Sequence, residues 1–266
     1  MDELRTHVEQ LARTPRPPGT EAHAQALTYL EQVFRQQGWQ PRRVPFSGEA
    51  DGVNLFAETG PADGPLIVMG AHYDSVPDSP GADDNASGVA ALLGLSKMFV
   101  GESRAHLLFA AYDREEDGLL GSRAHCATLR AAGQRVAAMI SLEMLGFTSA
   151  EQTVPPGVQV QRDKGDFLAL VANEASAHLL QHGGKDPFVE RAVVQANSTA
   201  ALMARLSDHG AFWEAGFPAL LATDTAFLRN PHYHRESDTP DKLDYPFLRR
   251  STGAVAHWLR SLLEAL

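Results

Sequence analysis

Three apolar runs in this sequence each end in groups that can hold a metal or move a proton. PLIVMGAHYD (65–74) delivers His72 and Asp74, HLLFAAYD (106–113) runs on to Glu115 and Glu116, and VAAMISLE (136–143) closes on Glu143. Asp84 lies in the loop after the first run, and PHYH (231–234), beyond a fourth run PALLAT (218–223), offers His232 and His234. Imidazoles and carboxylates without clustered thiols suit zinc or a similar divalent metal. The one cysteine, Cys126, excludes both a Cys-rich zinc site and an internal disulfide framework.

Charge tests whether such a set could hold two ions. If Asp84 bridges two Zn²⁺, and each ion adds one carboxylate and one histidine, three carboxylates and a bridging hydroxide neutralise the pair. Each ion then has four ligands, the tetrahedral preference of zinc, with an exchangeable position left for chemistry. Two ions about 3.5–4 Å apart can together activate water and stabilise an oxyanion. Glu115, beside the ligand Glu116, is placed to take a proton from that water.

The elements that must position these groups follow from periodicity. Residues 21–38 carry Ala26, Leu27, Leu30, Val33 and Phe34 at helical spacing before Gly38, and 245–265 reads as a closing amphipathic helix. Strands are expected at 41–46 and 53–58, helices at 86–99, 119–132 and 166–182, and an irregular loop at 148–165. Buried apolar strands alternating with helices imply a three-layer α/β/α sandwich with a mixed, largely parallel central sheet. In such sheets ligands bind beyond the carboxyl ends of the strands, where the chemistry-bearing residues fall.

Composition bounds the rest. The 266 residues, 44% hydrophobic, suit one globular domain spanning 1–266, without repeats, linkers or an inserted lid domain. A net charge of −10 argues against nucleic acid as a partner. No run approaches eighteen apolar residues, so no membrane span is expected. MDELRTHVEQLARTPRPPG lacks the basic start and apolar middle of a signal peptide, which makes a cytoplasmic location the expectation. Oligomeric state is not legible.

Six segments in order, GAHYDS (70–75), GADDNASG (81–88), YDREEDGLLGS (112–122), SLEMLGF (141–147), SDHGAFWEAGFPAL (207–220) and PHYHRESDTPDKLD (231–244), resemble metallopeptidase family 28. These are the co-catalytic zinc aminopeptidases of bacterial type, with a zinc-exopeptidase, phosphorylase/hydrolase-like fold. The resemblance implies two Zn²⁺ ions, or other divalent metals, held by His72, Asp84, Glu116, Glu143 and His234. It pairs His72 with Glu143 and Glu116 with His234 around a bridging Asp84. It makes Glu115 the general acid/base, Asp74 the carboxylate that orients His72, and Tyr233 a stabiliser of the tetrahedral intermediate. It also implies a cis Asp84–Asn85 peptide and a peptide substrate, cleaved at its N-terminus by a metal-bridging hydroxide.

One departure stands out: Glu143 occupies a position that is commonly Asp in characterised aminopeptidases. The extra methylene moves the carboxylate by about 1.5 Å on a fixed backbone, so substrate preference is the property put in question. His232 competes with His234, but only His234 matches the YH pattern. Glu174, His178 and His182 share a helical face without an H-E-x-x-H motif and read as a solvated face. Ser207–Asp208–His209 is too contiguous for a serine triad, and the resemblance makes Ser207 or Asp208 a partner for His234. Cys126 reads as inert packing. Arg191 or Arg205 could meet a product carboxylate, although a solvated arginine explains either. Substrate specificity is expected to depend on 148–165 and 185–206.

The alternatives are a single-zinc glutaminyl cyclase, a carboxypeptidase-type member of the fold, a family 20 metallopeptidase and a catalytically inert scaffold. His72 and Asp84, twelve residues apart, favour the dinuclear peptidase over the cyclase. No insert suits the lid of family 20, and an intact ligand set argues against a scaffold.

Overall fold

A computed structural model describes residues 3–153 and 162–266. Its eight strands are β1 (Arg42–Phe46), β2 (Gly52–Thr59), β3 (Leu66–His72), β4 (His106–Tyr112), β5 (Val136–Glu143), β6 (Leu168–Asn173), β7 (Val189–Val194) and β8 (Ala219–Thr223). They form one sheet in the order β1-β2-β4-β3-β5-β8-β6-β7. The four central strands β4-β3-β5-β8 run parallel, as do β6 and β7, whereas β1, β2 and the β6–β8 pair are antiparallel. The apolar runs recognised in the sequence are thus the parallel centre of the sheet. Their carboxyl ends all open on one side.

Every residue of β3 is buried, and its side chains divide between the two faces. Ile67, Met69 and Ala71 join a core with α1 (Glu3–Leu11), α2 (Glu21–Gln36), α3 (Gly88–Met98) and α7 (Tyr245–Ala265). Leu66 and Val68 join a smaller core with α4 (Leu120–Ala131) and α6 (Asp208–Glu214). Alternate residues of a strand face opposite ways, so a strand buried on both sides reads as continuously apolar. This is the expected three-layer α/β/α sandwich.

The amphipathic stripes of α2 and α7 are buried as expected. Thr20 caps α2 by accepting the His23 N–H, and Asp244 caps α7 by accepting the Phe247 N–H, so both helices start where the sequence supplies a capping oxygen.

The expected helix over 166–182 is a correction. Residues 168–173 form β6, and only Glu174–Gln181 turn helically, as a 3₁₀ segment. Val171 lies opposite Leu221 of β8 on one side and Ala192 of β7 on the other, so pairing with two strands overrides local helical preference. The strand β7 and the short helix α5 (Thr199–Ala204) were not expected at all. Much of the expected loop at 148–165 lies outside the described residues, apart from a bridge between Ser149 and Gly165. Among the described residues, no helix is long and apolar enough to cross a membrane.

Candidate active site

The carboxyl ends of the parallel strands deliver the sequence-predicted residues to one place. His72 is the last residue of β3 and Glu143 the last of β5, Glu115 and Glu116 follow β4, and the chain after β8 returns with His234. Asp84 enters from an irregular turn, Ala82–Ser87, whose Asp84–Asn85 peptide is cis. Two glycines let this turn pack closely. Gly81 lies at φ +60°, where a Cβ would sit 2.1 Å from the Asp84 carbonyl oxygen, and a Cβ on Gly88 would meet the Leu142 carbonyl at 2.3 Å. Arg114, Met144 and His234 adopt φ of +56°, +51° and +57°, so three of the loops turn through the left-handed region beside a site residue. Such conformations cost non-glycine residues on the order of 1 kcal/mol and cluster at functional sites.

The Asp84 carboxylate lies between two histidines. Its Oδ1 is 3.2 Å from His72 Nε2 and its Oδ2 is 3.1 Å from His234 Nε2. Glu143 Oε2 lies 3.5 Å from His72 Nε2, and Glu116 Oε2 lies 3.2 Å from His234 Nε2. Glu115 Oε2 is 4.0 Å from His72 Nε2. Donor atoms of His72, Asp84 and Glu116 fall within 4.8 Å of one another, as do those of His72, Glu115 and Glu143. The buried Glu116 Oε1 has no protein partner among the described residues.

The electrostatics are those of an acid cluster. Burial drives the Glu115 carboxyl well above its usual range; His72 opposes this, while Glu143 and Glu116 reinforce it. Glu116 is raised to about 6 by burial and then by Asp84, against its bond to His234. Burial disfavours charge on Asp84 as well, but the bonds from His234 and His72 hold it below the carboxylate range. Burial works against a charged imidazole too, yet the surrounding carboxylates prevail: both His72 and His234 are raised, His234 to about 10. Packing this many carboxylates together is costly unless protons or cations compensate them. The oxygen-and-imidazole donor set fits a divalent ion such as zinc.

Asp74 does more than face an imidazole. Its Oδ1 lies 3.4 Å from His72 Nδ1, a long contact, and its two oxygens accept the backbone N–H groups of Glu115 and Glu116 at 3.2 Å each. It therefore also fixes the loop that carries both glutamates. Tyr233 lines the cavity beside the cluster with its ring stacked on His234, centroids 3.8 Å apart. Burial and then the neighbouring Asp84, Glu116 and Glu143 push its phenol far upward, so it stays a protonated donor.

The expected partnership of Ser207 or Asp208 with His234 is corrected. Ser207 Oγ donates to Glu143 Oε2 over 2.7 Å and also meets Ser141 Oγ at 3.0 Å. Asp208 is buried at the start of α6, and neither it nor Ser207 bonds His234. Ser207 precedes α6, which packs beside β5, so the loop reaches Glu143 before it could reach His234. The competitor His232 bonds Ser237 Oγ through Nδ1 at 2.8 Å. His182 is buried rather than solvated, edge-on to Trp258, while His178 is exposed. The Cys126 thiol is buried and pushed up to about 12, mainly by that burial, which suits inert packing.

Sequence reasoning missed several residues that hold the site. The guanidinium of Arg16, 1% exposed, donates to the carbonyls of Tyr73, Pro80 and Gly81, bracing the loop between His72 and Asp84. Its only signal was an arginine between prolines in RTPRPPGT. Asp238 accepts the backbone N–H groups of Asp83 and Asp84, and Asn85 Nδ2 donates to the Leu142 carbonyl and to Glu143. Beneath them Asp83 accepts from Gly146 and Asn230, while Asp224 accepts from Phe147 and Ala226. Apart from the local Asp224–Ala226 bond, no spacing rule could pair these, because each joins segments at least 57 residues apart.

A cavity of about 540 Å³ opens from the cluster. Its lining includes Leu221 and Thr223 of β8, Ala169 and Val171 of β6, and Ala192 and Val194 of β7. These are alternate residues on one face of the sheet. On that side α4 and α6 cover the centre of the sheet and leave the β8-β6-β7 flank as the cavity's surface. Segments 148–165 and 185–206, expected to govern specificity, contribute Gln152 and Thr153 from the first and residues of β7, of α5 and just beyond it, among them Glu190, Ala200 and Leu206, from the second.

The sequence profile of Peptidase family M28 matches residues 54–259, which hold every ligand candidate. The chain belongs to peptidase family M28. Membership of M28 makes it a hydrolase of peptide bonds. Escherichia coli (strain K12) YfbL, described as uncharacterized, is 34% identical over an alignment of 247 positions that covers 82% of this chain and 73% of that protein. A probable leucine aminopeptidase of Arthroderma otae is 26% identical, over 93% of this chain and 67% of its own length. Among solved structures, BSAP, a zinc aminopeptidase from Bacillus subtilis, superposes with a TM-score of 0.75 at 17% identity, covering 98% of this chain and 94% of its own. Glutaminyl cyclase from Porphyromonas gingivalis gives 0.72 at 20% identity, covering 98% of each chain. At these identities the two structures establish the M28 chain's fold alone.

Proposed function

We propose that this M28 peptidase is a dinuclear zinc aminopeptidase removing N-terminal residues from peptides. The observation that carries the reading is the division of Asp84, with Oδ1 toward His72 and Oδ2 toward His234. Each half has a further carboxylate, Glu143 beside His72 and Glu116 beside His234. His72, Glu143 and Asp84 would hold one ion, and His234, Glu116 and Asp84 the other. Bound there, such ions supply Lewis acidity, which lowers the pKa of water and polarises a carbonyl oxygen.

The chain's own groups do the rest. Glu115, close to His72 but outside the two triads, takes the proton from the attacking water and returns it to the leaving amine. The protonated phenol of Tyr233 donates to the developing oxyanion. Asp74 keeps the imidazole of His72 and the Glu115–Glu116 backbone in register. The free α-ammonium of the substrate finds its counter-charge among the carboxylates, Glu143 included. The apolar side of the cavity, with Leu221, Val171 and Val194, suits an uncharged N-terminal side chain.

A panel of peptides with free and acetylated N-termini, assayed with and without chelator, tests this reading. Metal-dependent cleavage of the free series alone is expected, with about two zinc ions per chain by elemental analysis. Cleavage of the acetylated series from its C-terminus would sink the aminopeptidase reading.

A second reading is a glutaminyl cyclase, favoured by the near end-to-end coverage of the Porphyromonas gingivalis enzyme. His72 and Asp84, both at the cluster, weigh against a single-zinc cyclase. Formation of pyroglutamate from a glutaminyl peptide would reverse that order.

A further inference from the structure

The cavity that opens from the carboxylate cluster also contains arginine side chains, and their partners differ. Arg123 is paired with Glu214 at 2.7 Å. Arg191 is committed to the carbonyls of Leu180 and Gly184, at 3.0 and 2.6 Å. Glu190, an acid of the same lining, is taken by Arg162 at 3.1 Å. Arg205, at the C-terminal end of α5, is exposed and its side chain has no hydrogen bond or ion pair among the described residues. It is the one unpaired cation among the described lining residues.

Arg205 is also near the chemistry. It lies two residues before Ser207, whose hydroxyl is 2.7 Å from Glu143, so the two Cα atoms are at most about 7 Å apart. A substrate with its N-terminal residue at the cluster projects the rest of its chain away from the scissile carbonyl. Its terminal carboxylate then lies about 3.5 Å beyond that carbonyl in a dipeptide and about 7 Å beyond in a tripeptide. Arg205 lines the same cavity as Asp84, Glu116 and Glu143, its long side chain has reach of this order, and a guanidinium matches a carboxylate with two parallel N–H donors.

We propose that Arg205 binds the C-terminal carboxylate of the substrate, which makes this enzyme selective for di- and tripeptides with a free C-terminus. The inference rests on the aminopeptidase reading and adds the length and terminal chemistry of the peptide. A cavity of about 540 Å³ falls in the range that encloses small molecules rather than long chains. Acidic groups elsewhere in the lining would repel a free carboxylate, so the unpaired guanidinium supplies the attraction that such a substrate needs.

The test compares kcat/KM for Leu-Gly and Leu-Gly-Gly with their C-terminal amides. The native enzyme should prefer the acids about tenfold, chiefly through KM, the size of one partly solvated charge-assisted contact. Arg205→Gln should bring the acid-to-amide ratio close to one, and Arg205→Lys should keep part of it. A ratio near one in the native enzyme, or an unchanged ratio in Arg205→Gln, would overturn the proposal. An equal preference for Leu-Asp-amide over Leu-Asn-amide would overturn it too, since Arg205 would then be reading an acidic side chain. Calorimetric binding of Leu-Gly and Leu-Gly-amide separates the two readings. If no peptide is cleaved but the acid binds tighter in an Arg205-dependent way, the aminopeptidase reading fails and the carboxylate subsite stands. Cleavage of acids and amides alike would have the opposite meaning.

Discussion

Ser207 donates its hydroxyl hydrogen to Glu143 Oε2 over 2.7 Å, and this bond bears on the longer side chain at that position. Asn85 Nδ2 approaches the same oxygen at 3.3 Å, so the glutamate is restrained from two directions. Outer partners of this kind typically contribute 10–100-fold to metal affinity. Ser207→Ala should therefore weaken zinc binding by roughly tenfold while the fold is retained. Competitive titration with a metal-binding dye would read this, and unchanged affinity would show that Asn85 alone suffices.

Glu115→Gln separates proton transfer from metal binding. The amide keeps the size of the side chain but cannot accept the proton, and loss of a general base costs about 10²–10⁴-fold in rate. The variant should hold its full metal complement and lose turnover by at least the lower of these factors. A metal-replete variant with near-native kcat would remove Glu115 from the mechanism.

The parts of the site visible in the sequence share a physical cause. His72, Glu115, Glu116 and Glu143 follow apolar runs buried on both faces of a parallel sheet, and the end of such a run is where polar residues can begin. The strand β6 was hidden because LALVAN is followed directly by EASAHLLQ, whose apolar spacing is helical. Its strand character comes from β7 and β8, whose paired residues lie 21 to 54 positions downstream. The interloop bonds of Asp83, Asp224 and Asp238 depend on the same long-range assembly. The role of Ser207 could have been narrowed to a ligand's neighbour but not to Glu143, since that choice depends on how α6 sits beside β5.

Arg16 offers a test of the scaffold. Its fully buried guanidinium meets only backbone carbonyls, those of Tyr73, Pro80 and Gly81. Burial lowers its pKa, and Asp74 and Asp84 counter that from the site. Arg16→Met would leave those acceptors unpaired and remove a cation beside the acid cluster, at a cost of about 3 kcal/mol or more. The melting temperature should fall by roughly 6–12 °C, and saturating zinc should recover part of the loss by mass action. A melting temperature within a degree of native would show that the loop 73–81 holds its shape without Arg16.

Stability at acid pH should be set in part by a buried histidine outside the carboxylate cluster. His125 of α4 lies 2.8 Å from the Tyr112 hydroxyl and contacts Phe56 and Phe212, and burial lowers its pKa to about 3. An unfolded histidine titrates near 6.5, so between that value and about 3 the unfolded chain binds the extra proton. The sign follows: this contribution is whole above pH 6.5 and is lost as pH falls toward 3. The loss approaches about 1.4 kcal/mol per pH unit. His209, lowered to about 3 chiefly by burial, adds a second loss in the same window. Glu58, held at about 2 by its bond to His106, acts only at lower pH, below the ordinary glutamate range. His125→Gln retains a polar partner for Tyr112 but cannot be protonated. Thermal melts from pH 7 to 5 should show a shallower acid limb for the variant, by nearly one proton's slope. Parallel limbs would mean that His125 is protonated in the folded state or that other groups govern the acid transition.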